Sequence, residues 1–137
     1  MTRKILCPVD GTDHALHAVE AAVEMAQKFD GELSLCVVNV AHGGGRGPLI
    51  HHWSDADAQA ILDKASAVAV AKGLRPVATA VVLDREAASG IVRYADMNKV
   101  DQIVMGTGDK RGLSRLVLGS VAADVAGRAH CSVTVAR

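Results

Sequence analysis

The sequence predicts an α/β fold, a five-stranded parallel sheet with helices on both faces. Three observations carry the prediction. Short, continuous apolar runs alternate with stretches of helical periodicity from one end of the chain to the other. The apolar half of the composition is aliphatic, with one Trp, one Tyr and one Phe, which suits strands buried on both faces. No repeat, linker or low-complexity tail interrupts the alternation, so the 137 residues read as one domain, 1–137.

"KILCPV" (4–9) is the first strand, and "DGTDH" turns the chain after it. Leu16, Val19, Val23 and Ala26 then recur at helical spacing, with Thr12 or Asp13 as N-cap and Gly31 closing the helix. "ELSLCVVNV" (32–40) is the second strand. Residues 41–53 follow as a loop, because three adjacent glycines and Pro48 are expected to forbid a stable element. Ser54, with Asp57 three residues on, caps a second helix that puts Ala58, Ile61, Leu62, Ala65, Val68 and Ala69 on one face before Gly73 stops it. "RPVATAVVL" (75–83) is a third strand, and Pro76 assigns it to a sheet edge. Asp84 is expected to cap a third helix carrying Ala87, Ala88, Ile91, Tyr94 and Ala95. "QIVMG" (102–106) is the fourth strand. A fourth helix near 120–129 turns Val121, Ala122, Val125 and Ala126 inward, and "CSVTVA" (131–136) is the last strand.

Strand–helix alternation implies right-handed crossovers and an expected order of 3-2-1-4-5. In that order the strand sequence reverses between strands one and four, and ligands bind such sheets beyond the carboxyl ends at the reversal. The segments that meet there are "PVDGT" and "GTGDKRG", the two with the most unusual composition.

Lys plus Arg balance Asp plus Glu at 15 each, which argues against a nucleic-acid protein with its basic face and stacking aromatics. No apolar run reaches the roughly 20 residues of a membrane span. The start "MTRKILCPVDG" is too short in its apolar part for a signal peptide. Cys7, Cys36 and Cys131 fall in strand-like runs without metal-site spacing and read as buried, reduced thiols of a cytosolic protein.

Chemistry concentrates after the fourth strand. In "GTGDKRGLSRLVLGS" the glycines let backbone approach an anion, and Gly119-Ser120 opens a helix whose first N–H groups favour phosphate. Lys110, Arg111 and Arg115 add positive charge. Neither a Walker loop nor the dinucleotide fingerprint is present, and by spacing alone a solvated connection fits as well as a phosphate cradle. Asp10 reads either as a ligand acceptor or, with Thr12, as a helix cap. His42, His51 and His52 in the glycine-rich loop, and His14 and His17 one helical turn apart, lack the partners of a tetrahedral metal set and read as solvated. Ser120, Asp124 and His130 lie on one helix and its exit, with nothing to set the histidine between the other two, so no catalytic triad is assigned.

"KILCPVDGTDHALHAVEAAVEMA", "DQIVMGTGDKRGLSRLVLGSVA" and "CSVTVAR" together resemble a universal stress protein of the small, single-domain type. The resemblance runs the length of the chain and is weakest through residues 41–60. It implies a Rossmann-like sheet of the adenine nucleotide alpha hydrolase-like kind, a cytoplasmic stress-response role, no catalytic residues, and a homodimer through the C-terminal strand. Nucleotide-binding members carry Gly-x2-Gly-x9-Gly-Ser/Thr after the fourth strand. On this chain Gly106 matches the first glycine and Gly119-Ser120 the final pair, whereas Asp109 occupies the second glycine position, with Gly108 just before it. The implied nucleotide contacts are Pro8, Val9, Asp10, Thr12 and Val38, then Met105, Gly106, Gly108 and Asp109, then Gly119, Ser120 and Val121. Arg85 stands where such members often have a glycine before the third helix.

Two functions of different class follow. One is a dimeric regulator binding ATP with Mg²⁺ or Mn²⁺, in which Asp109 reaches metal only through a nucleotide-bound ion. The other is a nucleotide-independent module for an unknown protein partner, its phosphate loop impaired by Asp109. A slow ATPase lacks a residue to activate water beyond Asp10 or Asp109.

Overall fold

The computed structural model describes residues 2–107 and 118–137. At its centre β1 (Lys4–Pro8) sends Ile5 and Cys7 to one face and Leu6 to the other, all of them buried. It lies between β2 (Glu32–Gly43) and β5 (Gln102–Gly106), with Cys7 opposite Leu35 and Leu6 opposite Ile103. β4 (Ala78–Asp84) pairs with β2 on one edge and β6 (Ser132–Ala136) with β5 on the other. All of these pairs are parallel, so the main sheet runs β4-β2-β1-β5-β6, the order expected for five strands.

A sixth strand corrects the expectation for residues 41–53. β2 continues past residue 40 to Gly43, and β3 (Leu49–His51) returns antiparallel to it, with Ala41 opposite His51 and Gly43 opposite Leu49. The glycines taken as breakers are the turn itself: Gly43, Gly44 and Gly45 adopt φ of 85°, 92° and 63°. A hairpin turn needs the left-handed region, and glycine enters it without a Cβ penalty.

α1 (Asp13–Phe29) and α2 (Asp55–Ala71) cover one face of the sheet, largely through alanines and Val19, Val23 and Leu62. α3 (Ala87–Met97) and α4 (Ser120–Arg128) cover the other, where Ile91, Ala122 and Val125 meet Leu6, Val38 and Met105. Thr12 is the N-cap of α1, its hydroxyl accepting from the Ala15 amide at 3.2 Å, and Ser54 caps α2 from the Asp57 amide at 3.1 Å.

Several local expectations change. The left-handed residue ending α1 is Asp30 (φ 52°) rather than Gly31, which instead donates its N–H to the Ala26 carbonyl. Asp84 does not cap α3, which begins at Ala87 after Glu86; its carboxylate accepts the Arg85 and Glu86 amides at 2.7 and 3.1 Å and so fixes the exit from β4. Ala126 and Val121 are exposed, because only the Ala122–Val125 stripe of short α4 meets the sheet. Cys131 is half-buried, unlike Cys7 and Cys36. Burial pushes the Cys36 thiol up to about 12 and the Cys7 thiol well above its ordinary value, which suppresses the reactive thiolate in both.

Candidate functional site

A cleft of about 490 Å³ opens beyond the carboxyl ends of β1, β2 and β5, where the strand order reverses. Its floor is Pro8 and Val9 leaving β1 and Met105, Gly106 and Thr107 leaving β5. One end is the start of α4, contributing Gly119, Ser120, Val121 and Ala122. The other end is apolar and aromatic: Val38, Val40 and His42 from β2, His52 and Trp53 from the hairpin's return, and Ala87 and Ile91 from α3.

The two ends differ in kind. Gly119 caps α4 with extended backbone and no side-chain bond, so the first-turn N–H groups and the positive end of the helix dipole meet the cleft. An anion suits that end. A planar, weakly polar ring suits the β2 end, about which the chain's sole tryptophan and two imidazoles gather.

Asp10 and Thr12 form a local relay at the rim. The Asp10 Oδ1 accepts the Thr12 amide at 3.0 Å and the Thr12 hydroxyl at 2.6 Å, and that hydroxyl accepts the Ala15 amide. The capping reading therefore holds for Thr12. Asp10 orients the cap while staying exposed, and no described residue engages its Oδ2.

Gly106 owes its identity to close approach. A Cβ there would stand 2.7 Å from the His14 carbonyl oxygen and 2.9 Å from its carbon, both backbone atoms of the first turn of α1. Gly106→Ala must separate β5 from α1, and is expected to lower stability by about 1–3 kcal/mol. Urea unfolding measures this, and an unchanged midpoint would refute the tight contact.

Pro8, Val9, Asp10, Thr12, Val38, Met105, Gly106, Gly119, Ser120 and Val121 all line this one cleft. Gly108 and Asp109, with Lys110, Arg111 and Arg115, lie outside the described residues. Arg85 does not line the cleft; its guanidinium donates to the Gly43 carbonyl at 2.9 Å. Sequence reasoning missed Val40, His42, His52 and Trp53, and with them Thr107 and the small or apolar Ala15, Ala87, Ile91 and Ala122. Val38, Val40 and His42 alternate with period two, and that signal would have carried β2 onward had the glycines not been taken as its end.

The histidines are exposed, as expected, but His42 and His52 also border the cleft. Among the described residues no group of three His, Cys, Asp or Glu side chains could hold a metal ion. His130 lies 3.1 Å from Asp96 on α3, away from the Ser120–Asp124 pairing that a triad needs.

The model of the universal stress protein family matches residues 1–137. A universal stress protein of Methanocaldococcus jannaschii is 36% identical over 141 residues, spanning 98% of this chain and 82% of that protein. The solved structure of a universal stress protein in complex with cAMP superposes with a TM-score of 0.76 at 23% identity, covering 98% of this chain and 97% of that one. The Archaeoglobus fulgidus protein in complex with dAMP gives 0.74 at 23% identity, covering 100% and 98%.

Proposed function

This chain belongs to the universal stress protein family, and from that premise we propose that it is a non-enzymatic stress-response regulator whose cleft binds an adenine nucleotide. The observation that carries the reading is the cleft's polarity: helix N-terminus at one end, aliphatic and aromatic side chains at the other, and the implied contact residues between them. An adenylate has the same polarity, with its phosphate on α4 and its base against Val38, Val40 and the hairpin. The cAMP and dAMP held by two proteins of the same fold support the choice of adenine. ATP with Mg²⁺ or Mn²⁺ is the fuller ligand.

In this reading the protein works in the cytoplasm as a homodimer, formed through β6. β6 is an edge strand that pairs with β5 alone among the described residues, and its free side can meet a second copy antiparallel. Among the described residues no helix is long and apolar enough to cross a membrane. The chain acts as a single domain, and the polar groups of the cleft (Asp10, Thr12, His42, His52, Thr107 and Ser120) serve recognition rather than catalysis.

Calorimetry with AMP, cAMP and ATP plus Mg²⁺ tests the reading, with sedimentation on the same sample. Saturable heat at sub-millimolar nucleotide from a dimeric protein is expected. Absence of both heat and thermal shift at millimolar nucleotide would sink it. Failure there would favour the second reading, a nucleotide-independent interaction module. A specific observation supports that alternative: Val77, Val81 and Leu83 stand 60%, 38% and 55% exposed at the β4 edge, apolar surface open to a protein partner.

A further inference from the structure

The hairpin joining β2 to β3 closes the ring end of the cleft and is held at three points. At its root the Asn39 side chain bonds the Trp53 backbone twice, and the His52 amide donates to the Val40 carbonyl at 2.8 Å. At its turn the contact comes from another element: Arg85 donates from Nη1 to the Gly43 carbonyl at 2.9 Å. Gly44, with φ of 92°, leaves room for this side chain, since a Cβ there would stand 3.1 Å from the Arg85 Nη2. The base of Arg85 is itself fixed, because Asp84 accepts its amide at 2.7 Å while pairing with Arg93 at 3.3 Å.

The position where the family resemblance expects a glycine thus carries a side chain with a task of its own. His42 precedes the gripped turn by one residue and borders the cleft, as does His52 on the return. We propose that Arg85 is a positioning residue for ligand binding: it straps the hairpin over the ring end, holding His42 and His52 against the heterocycle without touching the ligand. This rests on the nucleotide reading of the cleft and adds the element that sets how firmly the ring is gripped. The bond is solvent-exposed and single, so the strap opens readily, and its contribution to affinity is modest.

The test compares wild type with Arg85→Ala and Arg85→Lys. Amide hydrogen exchange of the ligand-free proteins reads the strap directly. Arg85→Ala should speed exchange at Gly44, Gly47 and His52 while leaving Val9, whose amide donates to the Cys36 carbonyl just past the end of β1, unchanged. Calorimetry with adenosine and with AMP reads the consequence: both should bind about three- to tenfold more weakly to Arg85→Ala, by the same factor, because the strap acts on the ring. Arg85→Lys, which can still donate to the Gly43 carbonyl, should recover much of the loss. Unchanged exchange would overturn the proposal. So would a loss confined to AMP, which would mean that Arg85 acts only as a distant positive charge. A wild-type protein that binds neither adenosine nor AMP fails the nucleotide reading instead, and the exchange arm then decides the strap by itself.

Discussion

Asp109→Gly is expected to tighten ATP binding by about two orders of magnitude. A carboxylate held about 5 Å from a phosphate, at an effective dielectric near 20, is repelled by roughly 3 kcal/mol. Asp109 occupies the second glycine position of the phosphate motif, between Gly106 and the Gly119-Ser120 pair. The effect should grow with the number of phosphates, from least for AMP to most for ATP. Mg²⁺ should shrink it, because a divalent ion between carboxylate and phosphate turns repulsion into coordination. Calorimetry of both proteins with and without Mg²⁺ measures all of this. Equal ATP affinity in the two proteins would show that the charge of Asp109 is not what governs the site, and would leave the interaction-module reading resting on the exposed β4 edge alone.

Asn39→Ala is expected to cost about 2–4 kcal/mol of stability, a large fraction of what a domain of this size has. Asn39 is 1% exposed, and its side-chain amide both donates to the Trp53 carbonyl and accepts the Trp53 amide, each at 2.9 Å. Truncation removes two hydrogen bonds and leaves two backbone groups of part-buried Trp53 without partners. Denaturant unfolding reads the loss directly. A cost below about 1 kcal/mol would mean that water replaces the amide at both groups. Because Trp53 borders the cleft, the same variant should also bind nucleotide more weakly.

The parts of the fold that were legible in the sequence are those where one local signal meets no competitor. β1 reads as an unbroken apolar run because both of its faces are buried, and α2 reads cleanly because Ser54 caps it and Gly73 stops it. The strand order followed from the alternation alone, and it put the cleft at the right ends of the right strands. What was not legible depended on conformation that composition leaves open. Glycine is both the residue that disrupts strands and the residue that hairpin turns require, so "HGGGRGP" looked like an end when it was a reversal. Asp84 is a natural helix cap by type, but its carboxylate was already engaged by the two amides that follow it. Trp53 is placed at the cleft by Asn39, fourteen residues earlier in the chain, whose side chain bonds its backbone twice. No periodicity in the sequence encodes that bond.

The setting of Trp53 has an optical consequence. It is the chain's only indole, with its ring centroid 4.6 Å from that of His52 and nearly perpendicular to it. The single tyrosine sits on α3 among the core residues of the opposite face, and the single phenylalanine lies beneath the Arg3 guanidinium at the far end of α1. Intrinsic fluorescence excited at the red edge of protein absorption therefore comes from one wall of one cleft. The emission therefore follows whatever enters beside Trp53. The molecule carries its own spectroscopic probe at the place where its function is proposed to reside.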